Sequence, residues 1–424
     1  MLRIFHTADI HLGLKRWDKL GSTGQNLMVE DTLRVFDELV ENAIQKRKDG
    51  LPYADAVLIS GDIFNSPNPT PTEQHLFAQK ISKLLINSVK VILIPGNHEQ
   101  PISENKNAPL EIYQVFNVPG CLTFTQADLK EVETPHGLFQ VIGMPFISYK
   151  KLLGKENWNK LDEEELAAKY LNVIVRKITD LAENLKKNVF TVLMAHLLLF
   201  GSKISSEKTL TMSQEPMLHP SSFAIDGINY VALGDIHKHQ IIYKEPYMIY
   251  PGSIQRIDFG EEKDEKGYVE IEVKDINEPE SMNWKFKKLN AREYCTIKVI
   301  LEKDCEDPNK KIIQEVKKIN DLENKVIRIR IYYEGKIIRR INNIVIIQSL
   351  SDVYYLYPLE FFPREEFERE ESLIANYAST FDEIINEYFL SKKISEEEKK
   401  RLHPIAQYYY QKYFELEKTD QLTE

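Results

Sequence analysis

Five short polar clusters punctuate the chain: Asp9-x-His11, Gly61-Asp62, Gly96-Asn97-His98-Glu99, His196 and Gly234-Asp235-x-His237. Taken singly, none carries much weight. Taken together, and each following an apolar run, they form a donor set of carboxylate, amide and imidazole groups without thiolate. Such a set suits Mn²⁺, Fe²⁺ or Zn²⁺ better than an all-oxygen Ca²⁺ site. Two divalent ions about 3.5–4 Å apart need a bridging carboxylate and can share a hydroxide active at neutral pH. Asp62, central in the set, is the natural bridge. His98 directly follows a candidate ligand and is the candidate general acid; the competing reading is that it only hydrogen-bonds a ligand. The last cluster lies in LGDIHKHQ, residues 233–240, where Asp235, His237 and His239 crowd together. H-x-H pairs are common, so this stretch alone does not say which of the three are ligands.

The elements that must position these groups are legible in the hydrophobic pattern. Residues 1–100 alternate short β-rich runs with helices: LRIFHTAD, a helix with Leu33, Phe36, Leu39, Val40 and Ile44 on one face, ADAVLISGD, a second helix over about 72–85, and VKVILIPGNHE. Each polar cluster falls just past a strand's C-terminal end, where open α/β sheets bind ligands. Further strands are expected at Phe139–Met144, Val189–Ala195, Asn229–Leu233, Tyr247–Tyr250 and Gly267–Val273, with a helix over Glu163–Leu185. Residues 1–290 then form one α/β domain with two sheets.

From residue 291 the texture changes to a small α+β domain, 291–362, containing VIRIRIYY, whose Ile327, Ile329 and Ile331 alternate with Arg328 and Arg330. An exposed connector is expected at 363–371. Two amphipathic helices follow over 372–418, the first with Leu373, Tyr377, Phe381, Ile384 and Tyr388 on one face, the second with Leu402, Ile405, Tyr409 and Leu416. A formal net charge of −10 would disfavour a nucleic-acid partner, but residues 291–350 hold 13 Lys+Arg against 9 Asp+Glu, a net +4. The acidic total conceals a basic module. The three cysteines, Cys121, Cys295 and Cys305, are scattered, which disfavours a disulfide framework or a cysteine zinc site. No run approaches the roughly 20 apolar residues of a membrane span, and Arg3, His6 and Asp9 come too early for a signal peptide. The expectation is a soluble cytoplasmic protein.

The ordered clusters resemble the calcineurin-like metallophosphoesterases, whose pattern is D-x-H, G-D, G-N-H-[E/D], H, G-H-x-H. A narrower resemblance is to the SbcD-type (Mre family) nuclease subunit of DNA double-strand-break repair. It rests on HTADIHLG, SGDIFNSPNPTP, IPGNHE, AHLLLFGSKISSE, YVALGDIHKHQ and YPGSIQRIDFGEEKDEKGY, which all fall within residues 4–268. It implies a four-layer αββα domain, a small capping domain and a C-terminal helical hairpin. One ion, most simply Mn²⁺, would be held by Asp9, His11, Asp62 and His237, and the other by Asp62, Asn97, His196 and the residue at 235. Asp235 is a departure: it stands where the family's first histidine sits and makes that site harder, favouring Mn²⁺ over Zn²⁺. His239, past the strand end, reads as a surface histidine outside the site. A second departure is Asn65, where some relatives carry a histidine that helps orient DNA; an amide cannot donate a proton at neutral pH. This bears on the balance of 3'-5' exonuclease and endonuclease activity.

The resemblance also implies DNA contacts from the capping domain, for which Arg328, Arg330, Arg339 and Arg340 are candidates. It implies docking of the helix pair on the coiled coil of an SbcC-type ABC ATPase, a homodimer, and a place at the nucleoid. Two alternatives stand beside the nuclease: another phosphoesterase of the same fold, acting on phosphoproteins or nucleotides, and a catalytically weakened scaffold for the ATPase, which rests on Asp235.

Overall fold

A computed structural model describes residues 1–101, 107–148, 163–203, 217–276, 278–367, 385, 389, 394 and 398–407. The chain divides into two compact units, Met1–Cys295 and Thr296–Glu424.

The first unit holds two six-stranded sheets. In one, β1 (Leu2–Thr7), β2 (Ala56–Ser60), β3 (Lys90–Ile94) and β4 (Cys121–Thr123) run parallel. In the other, β6 (Gly137–Met144), β7 (Thr191–His196), β8 (Tyr230–Gly234) and β10 (Tyr247–Tyr250) run parallel, in the order β5-β6-β7-β8-β10-β9. Antiparallel strands close the edges: β5 (Asp128–Thr134) and β9 (Gln240–Lys244) on the second sheet, β11 (Gly267–Val273) and β12 (Met282–Lys288) beyond β1 on the first.

Burial on both faces explains the near-continuous apolar runs of β2, β7 and β8, all of whose residues are buried. Alternate residues of one strand serve different cores. Val57 and Ile59 face helices α1 (Leu27–Ile44) and α2 (Pro71–Ile86), packing with Phe36, Leu39 and Phe77. Ala56 and Leu58 face the second sheet and meet Val192, Met194 and Ala232. On that sheet's far face, Leu193, Val231 and Leu233 pack against Tyr170, Ile174 and Ile178 of α4 (Glu163–Ala182), the helix that follows the short α3 (Glu111–Phe116). Three cores between four layers give the αββα order. Helix α2 starts on a capping box, with Thr70 and Glu73 bonding reciprocally and Pro71 in the first turn.

In the second unit, β14 (Lys325–Tyr333) pairs in parallel with β15 (Tyr355–Leu356) and β16 (Glu360–Pro363) and neighbours β13 (Glu293–Leu301). Helices α5 (Pro308–Lys317) and α6 (Asn343–Ser349) pack together beside this sheet. The stretch read as a connector begins inside this fold: Pro363 pairs with Tyr333, and the Phe367 ring sits 5.1 Å from that of Tyr332. Of the predicted hairpin, only 398–407 forms a continuous described stretch, and it is helical through Pro404. Among the described residues no helix is long and apolar enough to cross a membrane.

Candidate metal centre

The polar clusters converge because β2 lies over β7 and β8 with β1 and β3 alongside, so their C-terminal ends meet. Backbone pairing continues past the ends of β1 and β2. Asp9 N–H donates to Gly61 O (3.1 Å), His11 N–H to Asp62 O (2.9 Å) and Leu12 N–H to Ile63 O (2.8 Å). Asp9, His11, Asp62 and Asp235 hold left-handed backbone, with φ of 52°, 48°, 50° and 101°. Non-glycine residues there are uncommon and cost about 1–3 kcal/mol each. Two glycines allow the close approach. A Cβ on Gly96 would lie 2.1 Å from Asp62 Oδ1, and one on Gly234 only 1.8 Å from Ser60 O.

Asp62 is central, as the sequence implied. Its Oδ1 lies 3.5 Å from His196 Nε2 and its Oδ2 3.7 Å from His11 Nε2. His196 Nε2 is also 3.5 Å from Asp235 Oδ1 and 3.4 Å from Asn97 Oδ1. On the other side His11 Nε2 and His237 Nε2 face each other at 3.0 Å. Among the described residues, three groups bring donor atoms close enough to hold an ion: Asp9, His11 and His237; Asp9, Asp62 and His196; and His11, Asp62 and His98. His98 N–H donates to Asp62 Oδ1 (3.0 Å), and its Nδ1 lies 3.2 Å from Asn65 O. The backbone carbonyl of Asn65, rather than its side chain, is what holds the His98 ring.

The donor set fits divalent cations. His11 Nδ1 and Asp235 Oδ2 are buried without a hydrogen-bond partner, an expensive state for polar atoms. Burial, reinforced by Asp62 and Asp235, pushes Asp9 up to about 7 against the pull of His196 and His237. Burial and the neighbouring imidazoles of His237, His98 and His196 hold His11 well below the usual histidine range. For His196 burial acts downward, but Asp62, Asp235 and Asp9 outweigh it and raise the ring well above that range. Asp9, crowded by other carboxylates in a dry site, thus favours a proton that a cation would displace.

His239 is outside this cluster but is not a surface residue. It is half-buried, stacked on Phe286 with ring centroids 4.1 Å apart, and its Nδ1 donates to Tyr250 O at 2.9 Å. Glu99, part of the third polar cluster but given no role there, is fully buried and accepts three backbone N–H bonds: Phe64 on Oε1 (2.6 Å), Gly96 (2.7 Å) and Asp62 (3.1 Å) on Oε2. It ties the β2 and β3 loops together. Burial and the charge of Asp62 push it up to about 8, against the N–H groups of Phe64 and Gly96. A cavity of about 800 Å³ opens beside Leu185, Asn188 and Asp226, near the N-terminal ends of β7 and β8, away from these groups.

In the second unit the arginines differ. Arg328 donates to Thr296 Oγ1 at 2.9 Å, and Arg330 pairs with Glu360 at 3.1 Å while lying over the Phe362 ring. Arg339 and Arg340 are exposed, with Arg340 donating to Cys305 O (2.9 Å). Of the partner-binding candidates, Leu402 is half-buried in the 398–407 helix. Leu373, Tyr377, Phe381, Ile384 and Tyr409 lie outside the described residues.

Residues 2–239 match the calcineurin-like phosphoesterase family. The chain belongs to that family, and its layers and strand-end cluster of Asp, Asn and His are those of a metallophosphoesterase domain. Among its relatives, the chain is 25% identical over 277 residues to the D subunit of the SbcCD nuclease of Staphylococcus saprophyticus, covering 64% of this chain and 66% of that protein. It is 26% identical over 288 residues to the D subunit of the SbcCD nuclease of Bacillus subtilis, covering 67% and 68%. A longer match, 24% over 404 residues and 93% and 92% of the two chains, is to the DNA double-strand break repair protein Mre11 of Methanococcus maripaludis.

Proposed function

We propose that this chain is the nuclease subunit of a DNA double-strand-break repair complex. It would hydrolyse DNA phosphodiesters as a 3'-5' exonuclease and an endonuclease, with two divalent ions, under control of an ABC ATPase. The observation that carries this reading is Asp62, whose two oxygens face separate groups of imidazole and carboxylate donors at strand ends. Relatives named as nuclease subunits and break-repair proteins add the substrate class.

Asp9, His11, Asp62 and His237 would hold one ion, and Asp62, Asn97, His196 and Asp235 the other. The O/N donor set with a carboxylate at 235 favours Mn²⁺. Bound there, the ions would supply an activated water and polarise the phosphoryl group. The remaining work falls to the chain. Asn65 O accepts from His98 Nδ1–H, which leaves His98 Nε2 to pass a proton to the leaving oxygen. The His98 side chain is 19% exposed while Asp62 is only 3% exposed, so His98 is the group open to a substrate.

The exposed Arg339 suits phosphate contacts best; Arg340 is exposed but already donates to Cys305 O and Glu306 O, and Arg328 and Arg330 are half-buried and bonded within the unit. Ile86, Val115 and Phe116, exposed at 80%, 80% and 71% on α2 and α3, support a homodimer that covers them. The 372–418 segment is proposed as the site for the coiled coil of the ATPase. A cytoplasmic location at the nucleoid follows from that substrate and partner.

Digestion of end-labelled linear duplex with Mn²⁺ tests the proposal. The wild type cuts, and His98→Ala is slower by about 10²–10⁴-fold, the usual contribution of a general acid. A wild type inert on DNA, with its ATPase present, yet active on small phosphodiesters would move the assignment to another phosphoesterase of the family. Inertness on both would move it to the scaffold reading.

A further inference from the structure

The block YPGSIQRIDFGEEKDEKGY, residues 250–268, contributes none of the proposed ligands, yet it is folded tightly behind one of them. His237 Nδ1 lies 2.8 Å from Glu261 Oε1, and Lys266 Nζ lies 2.6 Å from Glu261 Oε2. The Lys266 and Glu261 side chains are both 0% exposed. Lys266 Nζ also donates to His237 O (2.9 Å) and Ser253 Oγ (2.8 Å), so it grips the backbone and the carboxylate partner of the same histidine. Ile257 N–H donates to Glu261 Oε2 at 3.1 Å, and Arg256 Nε to Glu261 O at 3.2 Å. These contacts from Lys266, Ile257 and Arg256 all come from within the block.

A fully buried ion pair is poor evidence of stabilisation, because desolvation offsets most of the attraction and an apolar pair of similar size does as well. What this pair does provide is an orientation. An ionised carboxylate only accepts, so His237 Nδ1 must carry the proton and Nε2 must present its lone pair. That Nε2 is the nitrogen facing His11 across 3.0 Å. The imidazoles of the cluster are thereby differentiated. His237 is backed by a carboxylate, His196 by the neutral carbonyl of Ser60 (Nδ1···O 2.8 Å), and His11 Nδ1 has no partner. A carboxylate behind a ligating imidazole fixes its tautomer and increases its basicity.

We infer that Glu261 and Lys266 are positioning residues that lock His237 in its metal-binding tautomer and strengthen the ion site it belongs to. This rests on the reading of His237 as a ligand.

The test uses the full chain, wild type and the near-isosteric, uncharged double variant Glu261→Gln/Lys266→Met, with circular dichroism as the check of folding. Histidine-selective ¹⁵N NMR of the metal-free wild type, which needs no variant, should show His237 protonated at Nδ1 alone. Mn²⁺ titration followed by the EPR signal of the free ion should give two sites in the wild type. In the double variant one site should weaken by about 10–100-fold, the usual effect of removing such a partner, while the other is unchanged. A His237 ring protonated at Nε2 in the wild type, or a folded double variant that binds both ions as the wild type does, overturns the inference alone. A wild type that binds no Mn²⁺ overturns the ligand reading beneath it, and the inference with it.

Discussion

His6 offers a stability test that is independent of any bound ion. It lies on β1, fully buried between the sheets, with Nε2 3.1 Å from Leu233 O and Nδ1 2.9 Å from Tyr230 Oη. A carbonyl only accepts, so Nε2–H donates to Leu233, and Nδ1 accepts from the tyrosine hydroxyl. Burial, with a smaller contribution from His239, lowers the ring from 6.5 to about 3 against the Leu233 bond. The folded state therefore binds fewer protons than the unfolded chain between those values. The stabilisation is fully present above about pH 6.5 and is lost as pH falls toward about 3. At roughly 1.36 kcal/mol per pH unit the whole span is on the order of 5 kcal/mol, of which about 2 kcal/mol falls between pH 7 and pH 5. Urea unfolding of wild type and His6→Gln, both with chelator, isolates this histidine because all other titrations are shared. The wild type's advantage over the variant should be smaller by about 2 kcal/mol at pH 5 than at pH 7. An advantage that is constant across that range, or that grows in acid, would refute the picture of a neutral ring held between the sheets.

Other consequences follow from the site. Glu99→Ala strands three buried N–H groups at roughly 1–3 kcal/mol each and should remove much of the unit's stability in a thermal melt. Glu99→Gln can keep the Oε2 bonds from Gly96 and Asp62 but turns an amide donor toward Phe64 N–H, so its loss should be smaller than that of alanine without vanishing. Gly96→Ala would drive a methyl group to 2.1 Å from Asp62 Oδ1, and nuclease assays should find it inactive even where the protein still folds. Asp235→Ala removes a carboxylate from beside His196, and Mn²⁺ titration should show one site lost and the other kept. Asp235→His should restore two sites with a preference moved from Mn²⁺ toward Zn²⁺. Arg339→Glu/Arg340→Glu should weaken DNA binding about equally across sequences and flatten its salt dependence by roughly one unit of slope for each phosphate no longer neutralised.

The sequence showed the strands that end in candidate ligands because those strands are buried on both faces and therefore read as unbroken apolar runs. β10 and β11 were expected at their observed bounds, and β7 and β8 within two residues. The edge strands were not foreseen. β4 is three residues long, and apart from Val132 the residues of β5 and β9 are all exposed or half-buried, so neither length nor a buried alternation marks them. The candidate ligands were legible because each cluster follows such a run. Their supports were not. Glu99, Glu261 and Lys266 are residue types that normally lie on the surface. Nothing local shows that they are buried, since Glu99 meets Asp62 N–H from 37 positions away and Lys266 meets His237 O from 29. His239 was placed correctly outside the cluster but wrongly at the surface, because Phe286, which covers it, lies on an edge strand the pattern did not reveal.

Candidate ligands occupy the strained positions for a geometric reason. A residue in a pleated strand sends its side chain out from the face of the sheet, whereas a group bound at the strand ends must point past the last residue. Leaving the β region at Asp9, His11, Asp62 and Asp235 accomplishes that turn. Glycine would adopt the same backbone without strain but would supply no donor atom. At about 1–3 kcal/mol each, four such positions cost an amount comparable with a domain's entire net stability. The pairing of Asp9 with Gly61 and of His11 with Asp62, and the three-way grip of Glu99, hold this backbone where it would otherwise relax. Glycine at these four positions would relieve the strain but would remove donors that the proposed ion sites require. Asp235 has the most extreme φ of the four, and in the proposed ligand set it supplies one of those donors.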